Sequence, residues 1–116
     1  RMLSWKPMTP RPKGCTRPKR RAVSRSDFER DPDVVAWILM KANGVCEDCR
    51  SKAPFETPRG IPYLEVHHVH RLADGGPDTT ANAVALCPNC HRRAHHGTDP
   101  KGSEASLRKQ LERRGY

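Results

Sequence analysis

Cys46 and Cys49, with two residues between them, are answered after an interval of 37 residues by a second pair of the same spacing, Cys87 and Cys90. Two such knuckles supply four soft thiolates, the donor set that closes a tetrahedral zinc site and leaves no coordination position open. The competing reading is a pair of disulfides, but a basic chain without a secretory signal favours metal. Histidines crowd the same region. His67 and His68 end a run of strand formers, YLEVHHV, and neighbours on a strand point to opposite sides, so the two cannot easily face one ion. His91 and His95 stand four apart in PNCHRRAHH, stacked on one face of a helix and able to grip one cation together. With His67 they make a three-nitrogen site that leaves positions free for water and a substrate oxygen. His68 is then free to act as a general base, since a neutral imidazole of pKa ~6.5 suits proton removal from water. Cys90 and His91 lie about 100° apart around the helix axis, so thiolate and imidazole can turn to two different ions.

Short elements must hold these groups. DPDVVAWILMKANG reads as a helix of about three turns, with Asp31 as cap, Pro32 at the first helical position and Gly44 as stop. RSKAPFETPRGIP is a Pro- and Gly-rich loop, YLEVHHV a strand, LADGGPDTTAN a loop, AVAL a second strand and PNCHRRAHH a helix opened by Pro88. SEASLRKQLERRGY is an amphipathic helix with Ser103 as its expected cap, Leu107 and Leu111 on one side, and Gly115 past its end. Two strands and a helix therefore enclose every histidine.

Composition agrees with a metal-stapled fold. The 116 residues are 34% hydrophobic and 5% aromatic, with 11 prolines, which is a thin inventory for a self-sufficient core. The net charge of +9 favours an anionic partner such as nucleic acid. That charge is concentrated: residues 1–30 carry ten Lys or Arg against Asp27 and Glu29, whereas residues 31–116 carry twelve against eleven acids. Residues 1–30, with RPKRRAVSR, read as a Pro-rich basic arm or linker suited to phosphate contact, and Cys15 within it as a free thiol without a role. Nothing approaches the ~20 apolar residues of a membrane span, and no secretory signal is visible, so the expected setting is cytoplasmic with no membrane partner. The first residue is Arg1, which fits an excised or processed piece of a longer chain. The sequence contains no internal repeat.

The order EVHH, Gly-rich loop, Asn82, CPNCHRRAHH resembles the HNH endonuclease family, whose active site is a ββα-metal hairpin and helix. The resemblance covers residues 44–96. Its wording, LEVHH followed by GG, DTT, an asparagine, VALCPNCHR and a last histidine, is similar to the nuclease domain of McrA-like, modification-dependent (type IV) restriction enzymes. The resemblance implies an α+β fold: a small zinc-stapled ββα-metal (HNH, His-Me finger) domain with flanking helices over residues 31–116, behind the basic arm. It implies His67, His91 and His95 as ligands of the catalytic cation, His68 as general base, Asn82 as the residue that ties the loop and helps orient the base, and Cys46, Cys49, Cys87 and Cys90 as a structural zinc site. Many relatives have Asp where His67 stands, and a three-nitrogen site favours Zn²⁺, Ni²⁺, Co²⁺ or Mn²⁺ over strict use of Mg²⁺.

The implied reaction is metal-dependent hydrolysis of DNA phosphodiesters, leaving 5' phosphate and 3' hydroxyl ends. Arg71, Arg92 and Arg93 are expected near the scissile strand, with solvated surface charge as the plain alternative for each. His70 and His96 read as surface histidines. Two other functions stay open at this point: an HNH nuclease of phage packaging, homing or toxin context, and a non-catalytic zinc-ribbon DNA-binding module. Recognition of modified bases is expected from a domain upstream of Arg1. Breaking both strands would require two copies acting as a homodimer, for which no surface is legible.

Overall fold

Three helices each begin on a proline, and each is capped by the side chain just before it. In the computed structural model, which describes residues 10–22 and 28–116, α1 spans Pro32–Ala42, α2 Pro88–His96 and α3 Pro100–Arg114. Asp31 accepts from Asp33 N (2.8 Å) at the head of α1, and Cys87 Sγ accepts from Cys90 N (3.5 Å) at the head of α2. Proline at the first helical position costs nothing, because the N–H it lacks would have no partner there. The third helix departs from expectation: it starts at Asp99–Pro100 rather than at Ser103, with Asp99 accepting from Gly102 N (3.0 Å). The Asp-Pro pair outcompetes the serine because it supplies both cap and preset φ. The stop of α1 also falls one residue early, on Asn43 in the left-handed region (φ 50°), with Gly44 continuing the turn.

Between α1 and α2 lies a two-stranded antiparallel sheet, β1 (Glu65–His68) and β2 (Ala83–Leu86), in the register Glu65↔Leu86 to His68↔Ala83. β1 is shorter than the run of strand formers because AVAL offers only four residues to pair with. One further bond, Val69 N to Asn82 O (2.9 Å), extends the pairing. The connection expected as loop contains two short 3₁₀ turns, Leu72–Asp74 and Thr80–Asn82. Gly75 takes φ 90°, and a Cβ on Gly76 would collide with the His70 carbonyl, so the Gly-Gly pair is required where this loop doubles back.

α1 packs on both strands, α2 joins them, and α3 reaches β2 and α2. The core is small: Ile38, Val69, Val84, Leu86 and Leu107 are its largest fully buried side chains, and Cys46 is buried among them. Charge is also buried. Glu47 accepts from Ala85 N (2.9 Å) and pairs with Arg114 (3.1 Å), whose other nitrogen donates to Thr80 O (2.7 Å) and whose guanidinium lies 4.1 Å over the Tyr116 ring. These bonds tie the first cysteine knuckle, β2 and the last turn of α3 together.

The arm is described over residues 10–22 and 28–30, where it has neither helix nor strand and is exposed, Cys15 included. The remainder of the expected arm, with the end of RPKRRAVSR, lies outside the described residues. Among the described residues no helix is long and apolar enough to cross a membrane.

Candidate metal centres and active site

The four paired cysteines converge. Their sulfurs all lie within 4.8 Å of one another, with Cys49 and Cys87 Sγ 3.9 Å apart. Four thiolates at Zn–S ~2.3 Å around a tetrahedron would stand roughly 3.8 Å apart, so the cluster fits a zinc ion after only slight contraction. All four are free rather than disulfide-bonded. Asp48 N points at Cys46 Sγ (3.4 Å) as Cys90 N does at Cys87 Sγ, giving each knuckle an N–H to steady a thiolate. Burial pushes the Cys46 and Cys90 thiols up, whereas the Ser51 backbone N–H brings Cys49 down to about 6. Buried thiols reluctant to ionise become ligands when a divalent cation supplies the compensating charge.

The other face of α2 carries imidazoles. Ring nitrogens of His67, His91 and His95 also lie within 4.8 Å of one another, and His91 Nε2 and His95 Nε2 are 3.1 Å apart. Glu65 Oε1 sits 2.8 Å from His91 Nδ1, so the proton of a neutral His91 is on Nδ1 and its Nε2 offers a lone pair to the cluster. Tyr63 donates to the second oxygen of Glu65 (2.7 Å), completing a chain of hydroxyl, carboxylate and imidazole that fixes the ring. His91 holds the Glu65 carboxyl below its ordinary range, and Glu65 in turn pushes the Tyr63 hydroxyl up. His67 is only 5% exposed, and burial depresses its pKa to about 3, helped by the positive charge that His91 and His95 can carry. Burial also lowers His95. Burial thus favours the neutral, lone-pair-bearing form of His67 and His95, which suits a cation pocket.

His68, equally buried, turns away from that cluster as strand geometry requires, yet borders the same cleft of about 520 Å³ as His67, His91, His95 and Arg71. Its Nε2 lies 2.7 Å from Asp78 Oδ1. The Asp78 carboxyl is held below its usual range, first by the N–H of Asp31 and then by His68. Asn82 holds the loop closed: its amide donates to His70 O and Pro77 O (2.9 and 2.8 Å) and its oxygen accepts from His70 N (2.9 Å).

The three arginines separate. Arg71 lines the histidine cleft and donates to Ala94 O (3.2 Å), and Arg92 borders the surface around His91 and His95. Arg93 does not join them. It faces Cys90 Sγ (3.5 Å) and Asp48 (3.4 Å) on the thiolate side, where the Cys90 charge raises its pKa. Its place three residues after Cys90 was the available signal. His70 Nε2 contacts Asp74 O (3.1 Å), outside the imidazole cluster, and the His96 ring stands 6.2 Å from that of His95. Glu65, Tyr63 and Asp78 also belong to the site, though no motif in the sequence singles them out. Glu65 was within reach, being two residues before His67 on one strand face.

Comparison with known proteins bears on this arrangement. The family described as HNH endonuclease matches residues 46–97, a span that takes in both cysteine pairs, all the histidines and Asn82. Residues 46–97 are thus similar to an HNH endonuclease domain. Over 90 residues it is 50% identical to the type IV methyl-directed restriction enzyme EcoKMcrA of Escherichia coli (strain K12), a match covering 78% of this chain and 32% of that protein. Among solved structures it is similar to the type IV phosphorothioation-dependent restriction endonuclease ScoMcrA, with TM-score 0.65 and 36% identity over 72% of this chain and 16% of that one. The chain thus spans about a third of the curated relative it matches. The α+β, zinc-suited HNH fold expected from the sequence is the fold observed.

Proposed function

We propose that this HNH domain hydrolyses DNA phosphodiesters as the nuclease part of a type IV, modification-dependent restriction enzyme. The observation that carries the reading is the convergence of three imidazoles on one cleft that a fourth, differently oriented imidazole also borders. Packaging, homing and toxin nucleases are less well supported, because the relatives are restriction enzymes. A purely structural zinc ribbon would have no use for the second, nitrogen-lined pocket.

Cys46, Cys49, Cys87 and Cys90 would hold a structural Zn²⁺. His67, His91 and His95 would hold the catalytic cation, of which Mn²⁺, Ni²⁺, Co²⁺ and Zn²⁺ suit a nitrogen donor set better than Mg²⁺. When bound, that cation would supply positive charge to the scissile phosphate and to the departing 3' oxygen. His68 takes the proton from a water in line with the phosphorus, and Asn82 keeps the loop beside it closed. Arg71 and Arg92 face the DNA backbone, whereas Arg93 serves the thiolate cluster. The products are 5' phosphate and 3' hydroxyl ends. One relative's name specifies methyl-directed action and the other's phosphorothioation, so the HNH domain is assigned the cutting and an attached upstream domain the reading of the modification.

The test is plasmid incubated with Mn²⁺ or Ni²⁺ and either the intact protein or its His68→Ala variant. Nicking by the first is expected to exceed that by the second at least about 100-fold, with the residual rate of the variant read at high protein concentration, and no nicking by either removes the nuclease reading. Full-length protein offered methylated, phosphorothioated and unmodified plasmid should prefer one modified form; equal cutting of all three leaves a nuclease but not a restriction enzyme.

A further inference from the structure

One carboxylate joins two remote parts of the fold. Asp78 lies in the loop between the Gly-Gly turn and β2, ten residues beyond His68 and 47 beyond Asp31, and it bonds to both. Oδ1 is 2.7 Å from His68 Nε2, and Oδ2 accepts the backbone N–H of Asp31 at 2.6 Å. The His68 ring is 5% exposed and Asp78 is 21% exposed, so the contact is sheltered rather than a surface ion pair. An ionised carboxylate can only accept, so the proton of a neutral His68 stands on Nε2 and the lone pair on Nδ1. Asp31 N–H and the loop closed by Asn82 leave Asp78 little freedom to swing away.

Resting on the nuclease reading above, we propose that Asp78 is the positioning residue of the general base. It fixes the ring plane and tautomer of His68 so that Nδ1 presents its lone pair to the attacking water, and it stabilises the imidazolium formed once the proton has moved. Asp78 is not one of the three convergent imidazole-site groups and does not line their cleft, so its contribution would pass through His68. The Asp31 N–H, at the junction where the basic arm becomes α1, holds the carboxylate in place.

A group that acts only through another leaves a recognisable signature: removing it matters when its partner is present and not otherwise. Plasmid nicking with Mn²⁺ is measured for the full protein, Asp78→Ala, His68→Ala and the double variant, with zinc content and Ni²⁺ affinity followed in each. Asp78→Ala should lower kcat roughly 10–100-fold, leave KM for plasmid and Ni²⁺ affinity within about two-fold, and cost less than about two-fold further in the His68→Ala background. Asp78→Asn, which keeps the volume, carries the same comparison if the alanine variant loses zinc. Unchanged kcat in both Asp78 variants overturns the proposal. A loss of equal size with and without His68, or a fall in Ni²⁺ affinity matching the fall in kcat, also overturns it, since Asp78 would then support the loop or the cation site. The nuclease reading fails separately, when the intact protein nicks nothing or His68→Ala nicks as well as the intact protein.

Discussion

The two faces of α2 hold clusters of similar span and opposite character. The thiolate cluster pairs two knuckles separated by 37 residues, each bringing two sulfurs together within four residues, with backbone N–H groups from the same knuckle turned toward them. The imidazole cluster repeats no such unit. Its members come from β1 and α2, and the groups that orient them, Glu65 and Tyr63, sit on or just before the strand rather than on the helix. A closed site made of two like knuckles suits architecture, whereas a site that mixes strand and helix ligands can leave one side open to a substrate.

The comparison breaks most visibly at the sulfurs. Cys90 is almost wholly buried between α2 and the first knuckle, so Cys90→Ser, or chelation, should remove the ion and with it the folded domain. Structural zinc in small domains contributes on the order of 10 kcal/mol, more than a domain of this size can lose. Circular dichroism and zinc content check the outcome, and a folded, zinc-free variant would show the staple to be dispensable. Loss of one imidazole should act differently. His91→Ala is expected to keep zinc and helix content while nicking falls by more than about 100-fold, beyond what loss of a partner outside the ligand set costs. Ni²⁺ titration of the variant separates lost ligand from lost fold.

Glu65→Gln sharpens the contrast at the next level. It leaves every proposed ligand in place but weakens the partner of His91 Nδ1, so affinity for the second cation should drop about 10–100-fold, with thermal stability nearly unchanged. Tyr63→Phe, one step further out, should cost less than Glu65→Gln in the same titration.

Protons provide the mildest probe. His67 has a folded pKa near 3, whereas in the unfolded chain an ordinary histidine takes up its proton near ~6.5. Between those values the unfolded state binds the extra proton, so stability falls as pH is lowered through about 6.5. The loss from this one group should approach ~2 kcal/mol by pH 5. Denaturation midpoints of the zinc-loaded protein at pH 7 and pH 5, compared with those of His67→Asn, test this: the variant should lose less stability on acidification than the intact protein.

Much of the molecule was legible because its key groups obey short-range rules. The CxxC pairs, the i, i+4 histidines and the alternation of His67 and His68 are statements about spacing along one element, and each appears in the structure as read. Asp-Pro and Cys-Pro pairs mark the helix starts for the same reason, and Asp99–Pro100 carries at α3 the signal that Asp31–Pro32 carries at α1, ahead of the Ser103 expected as the cap. The buried Glu47–Arg114 pair, 67 residues apart, and the Asp31–Asp78–His68 chain depend on how loops return. No local pattern distinguishes those carboxylates from the others on the chain. Arg92 and Arg93 illustrate the boundary: as neighbours they looked equivalent, and only the identity of the residue one turn earlier separates them.

α2 has nine residues, a rod of about 13 Å, and it caps one cluster with Cys87 while ending the other with His95. So short a rod has no hinge along its length, so its tilt would be shared by the two proposed ion sites. Filling the sulfur site with a larger thiophilic ion should splay Cys87 and Cys90, rock the far end and change the bite of His91 and His95, so the proposed structural site would act as a remote tuning screw for the proposed catalytic one.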